Sequence, residues 1–159
     1  MAIAPEAMIF TAMEDCHRQI QSHLTALEAL VSGMEGLPLD AAGQKRIGTI
    51  EAFFSSTARH HHALEERYFF PPLLAGLDLD LVAKVRSLQQ DHGWIEENWI
   101  ELSPQLSAVA SGNNWFDLAE LKHGVEVFAE LCRTHLAVED TLVYPMTRAR
   151  LEELAEAIL

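Results

Sequence analysis

At 159 residues the chain is expected to form one domain spanning 1–159, long enough to bury a single sizeable core. Apolar residues make up 49 % and charged residues 22 %, a balance that excludes a disordered or collagen-like chain. Eleven Lys and Arg stand against 24 Asp and Glu, a formal charge of −13, and so acidic a surface repels phosphate, making nucleic acid and anionic membrane poor partners.

The opening MAIAPEAMIFTAMED has no basic stretch and carries Glu6, so no secretory signal is expected, and no apolar run reaches the ~20 residues of a membrane span. Cys16 and Cys132 are too few and too far apart for a disulfide framework, which points to a reducing cytoplasm. Three clusters of Pro, Gly and Asn (Ser32 to Gly43, Pro71 to Asp80, Ser111 to Asn114) separate four long segments rich in Ala, Leu, Glu and Gln.

The first segment carries an apolar stripe through Met13, His17, Ile20, Leu24, Leu27 and Val31 in steps of three and four. In the second the stripe passes through Ile47, Ile50, Phe54, Thr57, His61, Leu64 and Tyr68, with Pro71 at or just past the helix end. The third runs through Leu81, Val85, Leu88, His92, Ile95, Trp99, Leu102 and Leu106, and Pro104 predicts a kink or early end. Asp117 with Glu120 reads as the cap opening the fourth, whose stripe is Leu118, Leu121, Val125, Phe128, Cys132, His135, Glu139 and Leu142. Past Pro145, a short amphipathic tail helix is expected through Leu151, Leu154 and Ile158. Short connections then predict an all-α, up-down-up-down four-helix bundle, each stripe interrupted by one histidine.

The two halves repeat. HHALEERYFFP (from His61) lies over HLAVEDTLVYP (from His135), so His-x-x-x-Glu followed after five residues by Pro occurs twice, 74 positions apart. CHRQI (from Cys16) lies over DHGWI (from Asp91) at an offset of 75. One helical hairpin has been used twice. Among the consecutive His60, His61 and His62, only His61 with Glu65 superposes on His135 with Glu139. The repeat therefore selects His17, His61, Glu65, His92, His135 and Glu139, with His60 and His62 expected to be exposed. Four imidazoles and two carboxylates in one buried layer need compensation, which a pair of cations supplies. Such donors suit iron, with manganese or zinc also accepted, and two central carboxylates can each bridge two metals.

Paired His-x-x-x-Glu-x5-Pro segments, each preceded by an acidic-His-x-x-Ile helix (Asp15 and His17; Asp91 and His92), resemble the hemerythrin-like, or HHE cation-binding, domain over roughly Met13 to Pro145. The resemblance implies a non-haem di-iron centre in a four-helix bundle, in a family whose members bind oxygen, sense oxygen or nitric oxide, handle iron, or repair iron–sulfur clusters. The oxygen carriers have His-x-x-x-His on the third helix, whereas here the second position is Glu96. That shifts the likeness toward the four-His, two-Glu members, including cluster-repair proteins, whose additional cysteine-containing N-terminal domain has no counterpart in this sequence.

Two classes of function follow. One is a module that binds or senses oxygen, nitric oxide or iron; the other is a di-iron enzyme of oxidase, peroxidase-like or cluster-repair type. Glu96 is read as a solvated residue or an additional ligand, with the first favoured. Tyr68 is expected to be a core aromatic, Trp94 and Trp99 core or helix-contact residues, Cys132 packing, and His23, His123 and Gln21 surface.

Overall fold

The computed structural model of the chain describes residues 5–158, so residues 1–4 of the opening stretch lie outside it. Four helical rods build the molecule. The first is α1 (Pro5–Ser32). The second strings together α2 (Ala41–Ser55), α3 (Thr57–Leu64), a π-helical turn (Glu65–Phe69) and α4 (Phe70–Leu74). α5 (Leu79–Ala110) is the third, and the fourth joins α6 (Leu118–Val138), a second π-helical turn (Glu139–Val143) and α7 (Tyr144–Ile158). α2 packs on α5, α5 on α6, α6 on α1, and α1 on α2 and α3, closing a ring of four. No strand occurs among the described residues, and no described helix is long and apolar enough to cross a membrane.

Three aspartates start the rods that follow the connections. Asp40 accepts from the Gly43 amide, Asp78 from those of Asp80 and Leu81, and Asp117 from that of Glu120. Each satisfies an amide that the first helical turn leaves without a partner. At the other end of α5, Gly112 adopts a φ of 74°, a left-handed conformation in which a side chain would be strained, and its amide bonds back to Val109.

The prolines do not end the rods. A proline ring collides with the carbonyl four residues back, which is Arg67 for Pro71 and Thr141 for Pro145. Both carbonyls lie in the π turns. There the amide just before each proline reaches back five residues, Phe70 to Glu65 and Tyr144 to Glu139. The wider turn makes room for the ring, and the helix runs on. The tail helix is thus α7, continuous with the fourth rod; Leu151 packs on the core while Leu154 is exposed. α5 likewise passes through Pro104 and continues to Ala110, so the early end does not occur.

The core has two apolar clusters. One runs from Cys16 and Ile20 through Phe54, Trp99, Leu106 and Phe128 to Leu136. The other gathers Phe10, Met13, Phe69, Phe70, Leu88, Val143 and Tyr144. In sequence, His17 falls between Met13 and Ile20, His92 between Leu88 and Ile95, and Glu139 between Leu136 and Val143. The histidine stripe positions therefore form a polar layer between the two clusters.

Leu106 is fully buried in the larger cluster, so Leu106→Ala should cost about 2–5 kcal/mol in urea unfolding. Asp117→Ala, which removes only a cap, should cost about 1 kcal/mol in the same assay.

Candidate metal centre

All four rods reach the layer: α1 brings His17, α3 with its π turn His61, His62 and Glu65, α5 His92, and α6 with its π turn His135 and Glu139. Each π turn begins at the glutamate, one turn past its histidine, so the backbone widens where the carboxylate projects inward. Glu65 and Glu139 have no exposed surface, and His17, His61 and His135 are nearly as enclosed.

Two groups of donors converge here. His17, His61, Glu65 and Glu139 offer ligand atoms within 4.8 Å of one another, and so do His62, Glu65, His92 and His135. The carboxylates span both groups. Glu65 Oε2 lies 3.4 Å from His61 Nε2 while its Oε1 lies 3.2 Å from His92 Nε2. Glu139 Oε1 lies 3.3 Å from His17 Nε2 and Oε2 lies 3.2 Å from His135 Nε2. One oxygen of each carboxylate thus faces each set of imidazoles.

Outer carboxylates turn the rings. His17 Nδ1 is 2.6 Å from Asp140, His92 Nδ1 is 2.9 Å from Glu66, and His135 Nδ1 is 3.3 Å from Asp91. An Nδ1–H donated outward leaves each Nε2 as an inward lone pair, the arrangement common behind metal-binding histidines. The pattern is reciprocal: Asp140, next to Glu139, holds a histidine of the first half, and Glu66, next to Glu65, holds one of the second.

His61, whose Nδ1 has no partner, bonds through its Nε2 to His17 Nε2 at 3.0 Å, but buried His92 Nε2, His135 Nε2, Glu65 Oε1 and both Glu139 oxygens have no hydrogen-bond partner. Orphaned buried acceptors are costly, and a cation among them would satisfy several at once. The donor set fits that role.

The profile of the hemerythrin HHE cation-binding domain matches residues 8–147. The chain belongs to that family. A Haemophilus influenzae protein described only as uncharacterized is 28 % identical over 127 residues, covering 80 % of this chain and 72 % of its own. No solved structure gives a significant match.

In this hemerythrin-like bundle, the six residues selected by the repeat all meet in the layer. His62 meets them too, against the expectation that it is exposed. Its ring stacks on His92 with centroids 4.3 Å apart, and it joins Glu65, His92 and His135 in the second donor group. The reason is angular. His61 precedes Glu65 by four residues and His62 by three, and both spacings share a helical face, so the two rings flank the carboxylate from opposite sides. His60 is exposed, as are His123 and Gln21, whereas His23 is partly buried against Phe53.

Tyr144 was not singled out by the sequence. Its hydroxyl donates to Glu65 Oε2 at 2.7 Å and lies 2.9 Å from His17 Nε2 and 3.3 Å from His61 Nε2. The signal was the aromatic residue before each repeated proline, Phe70 in one half and Tyr144 in the other. Tyr68 is instead exposed beside Arg67, and Trp94 is exposed on α5 while Trp99 is buried. Glu96 is turned away from the layer into a two-pronged ion pair with Arg59, at 2.6 and 3.1 Å. Cys132 is buried, and burial pushes its thiol up to about 12.

Burial, reinforced by repulsion from His92, lowers His135 to about 4, and the same causes hold His62 well below its usual value. Burial together with the charge of Glu65 raises Glu139 well above the carboxylate range. Burial would raise Glu65 too, but the close approach of Glu139 and of the His17, His61 and His92 rings outweighs it and holds Glu65 well below the carboxylate range. Without metal, then, the layer disfavours the charged forms of His135 and His62 and the ionised form of Glu139.

These shifts set the pH response of the metal-free fold. An unfolded histidine takes up its proton near 6.5 and folded His135 only near 4, so His135 stability is full above 6.5 and falls as pH drops toward 4. Glu139 acts in the opposite sense, because its raised value contributes stability below 4.5 that is lost as pH rises through the folded value. Metal-free Glu139→Gln, neutral at every pH, should therefore show a higher urea midpoint than the parent at about pH 8, while binding metal more weakly. A lower midpoint at that pH would show that Glu139 is not held protonated.

Proposed function

We propose that this hemerythrin-like chain holds two metal ions, iron ahead of manganese or zinc, and binds or senses a small diatomic ligand, oxygen or nitric oxide. What carries the reading is the split of each buried carboxylate between two sets of imidazoles. His17 and His61 would hold one ion, His92 and His135 with His62 the other, and Glu65 and Glu139 would bridge them. Iron bound there supplies redox chemistry and coordination positions open to a small ligand.

The chain's own residues prepare that site. Asp140, Glu66 and Asp91 fix the tautomers of His17, His92 and His135, so the lone pairs are aimed before any ion arrives. The Tyr144 hydroxyl holds Glu65 in place, and burial together with the charge of Glu65 keeps it a neutral phenol in the metal-free protein. The apolar clusters close the layer from above and below. Two buried, unpaired cysteines support a reducing cytoplasm as its setting, and the acidic balance speaks against nucleic-acid partners.

A second reading, an enzyme of oxidase, peroxidase-like or cluster-repair type, draws support from a groove between α1 and α7. It measures about 630 Å³ and reaches His17, Asp140 and Tyr144, room for a reactant larger than a diatomic. Catalytic turnover of an added peroxide or damaged cluster by the loaded protein would favour this alternative.

Metal analysis should give about two ions per chain, from two repeat-related donor groups. Glu65→Ala and Glu139→Ala should each loosen both ions, and His62→Ala should weaken binding while His60→Ala leaves it unchanged. At a free-metal concentration 100-fold above Kd the fold should gain about 2.7 kcal/mol, read as a shift in urea unfolding. Anaerobically reduced, iron-loaded protein should develop a new charge-transfer absorption with oxygen, nitric oxide or azide. One tetrahedral ion with a dispensable glutamate, or two ions with no spectral response to any of these, would overturn the reading.

A further inference from the structure

Carboxylates outnumber cations by 24 to 11 in this chain, so a surface cation is expected to have an acidic partner. Arg18, Arg59, Lys122, Arg133, Arg148 and Arg150 do pair with carboxylates, and Arg67 lies over the Tyr68 ring. Lys45, Arg46, Lys84 and Arg86 make no ion pair among the described residues. Lys84 and Arg86 are two positions apart on α5 and so lie on different faces. Lys45 and Arg46 instead line one groove together, between α1 and α2.

That groove measures about 480 Å³ and reverses the sign of its surroundings, since no Asp or Glu lines it. Its polar groups besides the two cations are Ser22, His23 and Thr49. Thr49 donates its hydroxyl to the Lys45 carbonyl at 3.1 Å, whereas the Ser22 hydroxyl makes no bond among the described residues. His23 packs its ring on Phe53 with centroids 4.2 Å apart, and burial lowers it below its usual value. The charge in the groove is therefore that of Lys45 and Arg46. Ala26, Ala42 and the buried Ile50 add apolar surface to the walls.

Size and charge together narrow the occupant. The volume falls in the range of about 300–1,000 Å³ typical of small-molecule sites, and a bare inorganic anion would leave the apolar walls uncovered. A guanidinium and an ammonium side by side suit carboxylate or phosphate oxygens, to which the Ser22 hydroxyl can also donate. A long polyanion would meet the acidic surface outside the groove, but a small anion would not. We propose that the groove between α1 and α2 binds a small organic anion, a carboxylate or a phosphate monoester with a compact apolar body. The head lies at Lys45 and Arg46, and the body covers Ala26, Ile50 and the His23 ring.

Nothing in this depends on the donor layer, so the metal-free whole chain serves for the test. Phenyl phosphate, benzoate, inorganic phosphate and benzylamine are titrated in turn into nitrogen-15-labelled protein at low ionic strength, and the backbone amide shifts are followed. Phenyl phosphate or benzoate should give saturable shifts at residues 22–26 and 42–50, and the tighter of the two identifies the head group. Inorganic phosphate should bind more weakly, and benzylamine, of similar size but opposite charge, should not bind.

Lys45→Ala combined with Arg46→Ala should weaken binding by about tenfold or more. Lys84→Ala combined with Arg86→Ala makes the same change in net charge and should leave binding unaltered. Both groove cations are exposed and without ion pairs, so their double variant should keep the urea midpoint of the parent, which separates lost binding from a lost fold. Ala42→Phe, at an exposed position in the wall, should reject phenyl phosphate while still admitting inorganic phosphate. An equal response to the two charge variants would overturn the proposal. So would inorganic phosphate binding as tightly as phenyl phosphate, which would indicate an adventitious ion only. Saturable binding of a poly-glutamate peptide with none by the small anions would overturn it in favour of an acidic protein partner.

Discussion

A layer of imidazoles and carboxylates enclosed between two apolar clusters is the constraint on which this bundle depends. Polar side chains at such depth are tolerated only when something satisfies them, and here the neutral protein groups cannot do so among themselves. Three of the histidines spend their Nδ1 protons on outer carboxylates, which leaves lone pairs facing lone pairs at the centre. The metal-free protein relieves part of this by donating the Tyr144 hydroxyl to Glu65, and burial beside Glu65 raises Glu139 so that its ionised form is disfavoured. What stays unsatisfied is the stabilisation that a pair of cations would add.

The helices follow from that demand. A carboxylate that must sit at the bundle axis one turn after a histidine begins a stretch in which the backbone widens to π geometry, in both halves at the same repeat position. The same widening lets a proline follow without ending the rod. Both rods therefore carry helix past the site, and that continuation supplies Phe70 and Tyr144 to the apolar cluster beyond it. The local irregularity and the placement of the donors have one cause.

Much of this was legible in the sequence because helical periodicity and an internal repeat are both counting arguments. His17, His92 and His135 were found as polar interruptions of apolar stripes, and Glu65 and Glu139 by superposing one half on the other. The rest escaped for physical reasons. The repeat looks for sameness, so it discarded His62, which faces Leu136 in the other half, although a three-residue step to Glu65 shares a face as well as a four-residue step does. It passed over Tyr144 in the same way, since Phe70 lacks the hydroxyl. Pro71 and Pro145 looked like stops because a π turn leaves no separate mark in residue order. Trp94 looked interior because aromatic residues usually are, but it lies off the α5 stripe and is exposed.

The departures from two-fold symmetry are also what make the two halves chemically unequal. Asp91 accepts from His135, but its counterpart in the first half is Cys16, and His61 Nδ1 is left without a partner. A carboxylate orients the His135 ring from outside while nothing holds the Nδ1 of His61, so the two differ although their positions match. Tyr144 sets a hydroxyl against His17, where Phe70 in the other half stacks its ring on His92 at 5.6 Å. His62, from the first half of the sequence, then adds a third imidazole to the group of His92 and His135. A strictly symmetric layer would present two equivalent ions to two equivalent approaches. This one sets a hydroxyl and a charged groove beside one donor group and an extra imidazole in the other, so two ions held there would meet unequal surroundings.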